Sequence, residues 1–159
     1  MMKNGSTLFL KLALFLMAIP VLVFVIVAVP WLINNPVNPD YTYILYPIVI
    51  GVFISIIPYF LALFQSYKLL SFIDQNQAFS DHSVQALKVI KFCALSVSGI
   101  YIVLLPFIYF LAELDDAPGL ILIGLVFVFA ALVIAVFAAV LQRLLKEAID
   151  IKSENDLTV

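Results

Sequence analysis

The sequence predicts an all-α, polytopic membrane protein: a bundle of four transmembrane helices with the N and C termini in the cytoplasm. Hydrophobic residues make up 65% of the 159-residue chain and charged residues only 11%, too apolar a balance for a soluble domain of this size. Four apolar stretches, at roughly 8–32, 44–66, 92–112 and 119–141, reach the ~20 residues that a helix needs to cross the hydrocarbon layer. They leave no room for a separate soluble domain.

The distribution of basic residues predicts the orientation of these spans. All eight fall in the N-terminal tail, the middle loop 67–91 and the C-terminal tail 142–159: Lys3, Lys11, Lys68, Lys88, Lys91, Arg143, Lys146 and Lys152. In the other two loops every charged residue is acidic: Asp40, Glu113, Asp115 and Asp116. By the positive-inside rule, both termini and the middle loop lie in the cytoplasm. These inner segments also hold six acidic residues, a balance that suits contact with anionic lipid and predicts no direct nucleic-acid binding.

The first span contains a proline near its middle and another near its outer end. Pro20 should kink the helix and free a carbonyl that a neighbouring helix must satisfy. Pro30 and Trp31 mark the outer membrane interface, where an amphipathic indole is stable. The stretch is long for a signal-peptide core and has no evident cleavage site, so we expect a retained span.

The second span should continue past the membrane into a helical segment, and the third helix should begin before the membrane. Pro58 predicts a second kink, and residues 67–74 keep an apolar face at helical spacing. Ser80 is a favourable N-cap, and Asp81 places negative charge at the positive end of the next helix. We therefore expect this helix to start at Ser80.

The fourth span carries small residues that permit close helix packing: Gly124, Ala130, Ala131, Ala135, Ala138 and Ala139. It should continue as an amphipathic helix whose apolar stripe is Leu141, Leu144, Leu145, Ala148 and Ile149. Arg143–Glu147 and Lys146–Asp150 are oppositely charged i,i+4 pairs that would support this extension slightly.

Catalytic chemistry has little support in this sequence. No Asp, Glu, Arg or His lies centrally in a span, whereas proton-coupled transport usually needs a buried ionisable group. Lys11 lies close enough to the inner end of its span to reach the interface. The single histidine, His82, belongs to a first helical turn, and Cys93 suits a packing role. We expect no enzymatic activity, no cofactor and no metal site.

The polar residues within the spans allow two interpretations. The first is hydrogen bonding between helices and at kinks. The second is a small cavity between kinked helices, with Ser55, Tyr59, Ser98 and Tyr101 as its candidate residues. Likewise, Pro20, Pro58 and Pro106 either shape a static bundle or form a set of hinges.

Three segments carry a resemblance to a known family. These are residues 5–11 (GSTLFLK), the stretch 73–80 that ends in AFS, and the charged tail 141–159 that closes in DLTV. They resemble the bacterial membrane family called Domain of Unknown Function 2975, over essentially the whole chain. The resemblance implies a four-span protein of the bacterial inner membrane, without assigned catalytic residues. Members are often encoded beside a small helix-turn-helix regulator, which implies a cytoplasmic partner of that class.

Two functions remain open from the sequence. One is an interaction, sensor or anchoring protein whose cytoplasmic face docks a partner such as that regulator. Its candidate contact residues are Asp74, Phe79, Ser80, Lys146, Glu147, Asp150 and Asp156. The alternative is a small transporter or an immunity or export protein for an apolar or amphipathic molecule, which would use the intramembrane cavity. Besides the lipid bilayer, the alternative also calls for a homo-oligomer, most simply a dimer.

Overall fold

The computed structural model describes residues 2–34, 39 and 42–158, and this part of the chain forms four long helices. They are α1 (Met2–Asn34), α2 (Thr42–Asp74), α3 (Asp81–Leu114) and α4 (Gly119–Thr158). Each is long and apolar enough to cross a membrane. The prediction of an all-α protein with four candidate spans is confirmed.

The helices are longer than the hydrocarbon layer that they cross. At 1.5 Å per residue, the 33 residues of α1 extend about 50 Å and the 40 residues of α4 about 60 Å, against a layer of ~30 Å. The predicted continuations beyond the second and fourth spans are confirmed, because α2 runs to Asp74 and α4 to Thr158. The helices also continue through their internal prolines, among them Pro20 and Pro58.

The predicted start of the third helix is confirmed. Ser80 is the N-cap of α3, in an extended conformation, and its hydroxyl oxygen accepts a hydrogen bond from the Ser83 amide at 3.4 Å. The Ser80 hydroxyl also donates to the Gln77 carbonyl oxygen at 2.6 Å, and the Ser83 hydroxyl donates to the same carbonyl at 3.1 Å. Ser83 is fully buried. The two serines thus tie the turn before α3 to its first helical turn.

Two left-handed residues end α2 and α3 in the same way. Asn76 has φ 59°, its amide donates to the Ile73 carbonyl at 3.1 Å, and the Gln77 amide donates to the Phe72 carbonyl at 2.7 Å. These two bonds define a Schellman C-cap. The same pair recurs at Asp116, with φ 52° and distances of 3.4 and 2.8 Å. Asn and Asp tolerate positive φ better than most residues, which makes both turns short.

The helices pack in chain order, with α1 on α2, α2 on α3 and α3 on α4. Among the described residues, no Cα of α1 comes within 8 Å of a Cα of α3 or α4. Neighbouring helices run antiparallel, because residues near the start of one helix meet residues near the end of the other: Lys11 with Asp74, Gly51 with Leu104 and Gly124 with Leu105. The start of α1, the end of α4 and the α2–α3 turn therefore share one end, here called the basic end. The end of α1, the start of α2 and the α3–α4 turn share the opposite, acidic end. Which end faces the cytoplasm remains a prediction.

Small residues allow close packing at two helix interfaces, α3–α4 and α2–α3. On α4, Gly124, Ala131, Ala135 and Ala138 are buried, as predicted, whereas Ala130 is exposed. Where α2 crosses α3, a Cβ added at Gly51 would lie 2.6 Å from a Leu104 methyl carbon. Nearer the basic end, an apolar cluster joins the last three helices: Leu69, Leu87, Ile90, Ala138 and Leu145.

Candidate functional site

A groove of about 570 Å³ lies between α1 and α4, whose described Cα atoms stay more than 8 Å apart, and α2 and α3 form its floor. Pro20, Val21 and Phe24 line the side formed by α1. The side formed by α4 contains Ile123, Gly124 and Phe127 among its residues. The volume falls within the range of small-molecule sites. The walls are almost entirely apolar, so the groove matches a lipid-like molecule better than a polar one.

A pair of hydroxyl groups forms the polar part of the groove floor. The buried Ser55 hydroxyl donates to the Val52 carbonyl oxygen at 2.6 Å, and the Tyr101 hydroxyl lies 3.2 Å from Ser55 Oγ. The Tyr101 ring stacks on Phe127 of α4, with centroids 5.4 Å apart and an interplanar angle of 17°. The stack fixes the Tyr101 ring against the α4 wall, and with it the direction of its hydroxyl.

A third hydroxyl connects the floor to α1. The Tyr59 hydroxyl donates to the Met17 carbonyl oxygen at 2.7 Å. Pro20 deprives the Leu16 carbonyl of its helical partner, and Met17 is the next residue along the chain. The donor from α2 thus reaches the carbonyl next to the one that Pro20 frees, and the expectation that a neighbouring helix satisfies the freed carbonyl itself stays a prediction.

The structure brings together three of the four cavity candidates. Ser55, Tyr59 and Tyr101 line the groove. Ser98 lies elsewhere: it is 1% exposed, and its hydroxyl donates to the Val128 carbonyl oxygen of α4 at 3.4 Å. It serves the α3–α4 seam, which is the helix-packing interpretation of the intramembrane serines.

A polar cluster of Thr7, Lys11 and Asp74 joins α1 to α2 at the basic end. Lys11 Nζ lies 2.8 Å from Asp74 Oδ2, and the Thr7 hydroxyl donates to the other carboxylate oxygen. Lys11 Nζ also lies 5.1 Å from the centroid of the Tyr67 ring. Asp74, a candidate for partner contact, is thus engaged within the protein, with its side chain 22% exposed. Lys11 and Asp74 are separated by 63 positions in the sequence, so no local pattern indicated this pair.

The other candidate contact residues lie near the basic end and are mostly exposed. Phe79, on the α2–α3 turn, is 56% exposed, and Ser80 acts as the N-cap of α3. The charged candidates on the α4 extension are all exposed: Lys146, Glu147, Asp150 and Asp156. The predicted Arg143–Glu147 pair forms at 3.5 Å. Lys146 and Asp150 form no ion pair in the described residues, since water competes well for exposed charges.

Comparison with known proteins supports the resemblance seen in the sequence. A family model described as "Protein of unknown function (DUF2975)" matches residues 31–159. The chain belongs to this family. Over 160 aligned residues it is 56% identical to the "Uncharacterized membrane protein YoaS" of Bacillus subtilis (strain 168), covering 99% of this chain and 100% of the relative. No solved structure matches the chain. With its four candidate spans, this member of the DUF2975 family is a membrane protein.

Titratable residues in this DUF2975 protein are dispersed. Within the described ranges, no three His, Cys, Asp or Glu side chains come together in a metal-binding group. The His82 ring packs against Phe72 at 5.6 Å between centroids, and Cys93 is a buried free thiol. The groove and the basic end are therefore the two candidate functional regions of the described residues.

Proposed function

We propose that this DUF2975 protein is a non-enzymatic membrane anchor or sensor whose basic end docks a cytoplasmic partner, with a small helix-turn-helix regulator as the partner class. The proposal includes the predicted orientation, in which the basic end faces the cytoplasm of a bacterial cell and the spans lie in its inner membrane. The exposed extension of α4 is the observation that carries it.

The α4 extension presents exposed apolar side chains beyond the predicted fourth span. Leu145 packs against the apolar cluster of α2 and α3, and the helix continues to Thr158. Leu144 and Ile151 lie seven residues apart, hence on one helical face, and are 55% and 60% exposed. A helix that presents such a face to water suits pairing with an amphipathic helix of a partner.

Phe79 and the charged candidates complete this surface. Phe79 places a large exposed ring at the same end of the molecule. Lys146, Glu147, Asp150 and Asp156 add exposed charges of both signs along the same extension. Mixed charge sets partner choice and orientation more than affinity. Asp74 instead forms the ion pair that joins α2 to α1, and Ser80 caps the start of α3.

Site-specific photo-crosslinking in native membranes tests this proposal. A photoreactive amino acid at Ile151 is compared with the same group at Val103, an exposed α3 residue within the third predicted span. We expect Ile151 to capture one helix-turn-helix protein and Val103 to capture lipid. With the photoreactive group kept at position 151, deleting residues 153–159 or introducing Leu144→Asp should reduce that capture about tenfold or more without reducing membrane insertion. Unchanged capture in both variants, or adducts at Ile151 with lipid alone, would refute docking at this surface.

The groove supports a second candidate, a small transporter or an immunity or export protein for an apolar or amphipathic molecule. An apolar groove of about 570 Å³ along the membrane-spanning helices could hold such a molecule without exposing it to water. The dimer expected for this function would be seen as a doubled mass of the purified protein in detergent.

A further inference from the structure

We propose that the groove between α1 and α4 binds a long-chain amphiphile that carries a hydrogen-bond donor, such as a hydroxyl group, near the middle of its chain. The inference gives the second candidate function a ligand class. It does not depend on partner docking, so either proposal can fail while the other stands.

The depth of the polar spot sets where the donor must lie. Ser55 is at the centre of the second predicted span, 44–66, and Tyr101 is next to the centre of the third, 92–112. Their hydroxyl pair therefore lies near the middle of the hydrocarbon layer, far from lipid headgroups. A ligand that meets this pair must carry its polar group within its chain.

The hydrogen bonds within the groove determine whether that group must be a donor or an acceptor. The Ser55 hydroxyl has one proton, and this proton goes to the Val52 carbonyl, which cannot itself donate. The bond between Ser55 and Tyr101 must then use the Tyr101 proton. The Tyr59 proton is likewise committed to the Met17 carbonyl. All three hydroxyl protons of the groove are donated within the protein.

The groove consequently offers hydrogen-bond acceptors and no hydroxyl donors. The oxygens of Ser55, Tyr59 and Tyr101 retain lone pairs after these bonds are made. In a medium without water, a chain hydroxyl or amide N–H gains a partner there that lipid tails do not provide. An ether or ester oxygen at the same position would face acceptors only and gain nothing.

The walls determine the rest of the ligand. Phe24 and Val21 on α1 face the groove across from Ile123 and Phe127 on α4, so the remainder of the chain meets apolar surface. Gly124 keeps the α4 wall close to α3, because an added Cβ would lie 3.0 Å from a Leu105 methyl carbon. The groove opens between α1 and α4, whose described Cα atoms stay more than 8 Å apart, so the ligand can enter sideways from the bilayer.

Photoaffinity labelling of the full-length protein tests this proposal. The protein is reconstituted in phosphatidylethanolamine and phosphatidylglycerol vesicles with three fatty-acid probes of equal length, each carrying a diazirine. They differ only at mid-chain, which is hydroxylated, methoxylated or unsubstituted. We expect the hydroxylated probe to label groove peptides with about fivefold higher affinity than the other two, the effect of roughly one hydrogen bond.

A matched pair of variants locates the effect. The double variant S55A/Y101F removes both floor oxygens and should bring the three probes within about twofold of one another. Ser98→Ala removes an equally buried hydroxyl outside the groove and should preserve the preference. Equal labelling by the three probes in the wild-type protein would overturn the proposal, because that is the behaviour of an ordinary acyl chain. Loss of the preference in Ser98→Ala would overturn it as well.

Discussion

The α3–α4 seam and the α1–α2 contact show two different ways of joining helices within one small protein. In the most apolar 18-residue stretch of α4, 22% of the residues are buried inside the protein, whereas none is buried in that of α1. Along α4, glycine and alanine residues lie against α3. The side chains of α1 reach α2 through the Lys11–Asp74 ion pair, the Tyr59–Met17 hydrogen bond and aromatic contacts such as Phe15–Tyr67.

This difference indicates that α2, α3 and α4 form one packed unit, against which α1 lies as a peripheral helix. Within a bilayer, lipid tails solvate apolar side chains as well as other helices do, so association depends on close packing and on polar contacts. In the unit of α2, α3 and α4, the helices approach closely at Gly51 and Gly124. The contact of α1 relies on a few polar bonds, and the groove lies at the edge where α1 meets open lipid.

The largest expected effect comes from overfilling the α2–α3 crossing. Gly51→Val would place carbon atoms within 3 Å of the Leu104 side chain, so the two helices must separate or Leu104 must leave its rotamer. Such overpacking typically destabilises a protein by about 1–3 kcal/mol. Thermal unfolding of the purified protein in detergent measures this loss.

Gly99→Val is the matched control for that variant. It makes the same substitution on α3, at a position where an added Cβ meets nothing within 4 Å. Its unfolding temperature should stay close to that of the wild type. If the two variants unfold alike, the close α2–α3 crossing is not a source of stability.

A smaller effect is expected where α1 meets α2. Tyr59→Phe removes the hydroxyl that donates to the Met17 carbonyl, and intramembrane hydrogen bonds contribute about 0.6 kcal/mol on average. Unfolding in a detergent titration measures the change, with Tyr46→Phe, an exposed ring, as the control. A loss as large as that of Gly51→Val would contradict the peripheral position of α1.

Local signals made much of the fold predictable. The spans follow from runs of apolar residues, the start of α3 from Ser80, and the α4 extension from its helical spacing of apolar residues. The buried small residues of α4 were also apparent, because only they allow close packing. Each of these features depends on neighbours within a few positions.

The candidate site was only partly predictable because it depends on which helices touch. Sequence spacing could place Ser55 and Tyr101 at one depth, but it could not show that α1 and α4 remain apart and leave a groove. Nor could it show that Lys11 and Thr7 engage Asp74, which was a candidate for partner contact. The two Schellman turns were also missed, because neither ends in the glycine that usually marks them.

The most direct test of a peripheral α1 on a packed three-helix unit is to measure distances between spin labels. One label pair joins α1 to α2, at Leu12 and Phe64, and a reference pair joins α3 to α4, at Phe92 and Phe137; all four residues are exposed. Lys11→Leu removes the ion pair to Asp74, and Lys91→Leu is the control on α3. We predict that Lys11→Leu broadens the α1–α2 distance distribution and leaves the α3–α4 distribution unchanged, while Lys91→Leu changes neither. An α1–α2 distribution that stays as narrow as the reference in Lys11→Leu would contradict the account.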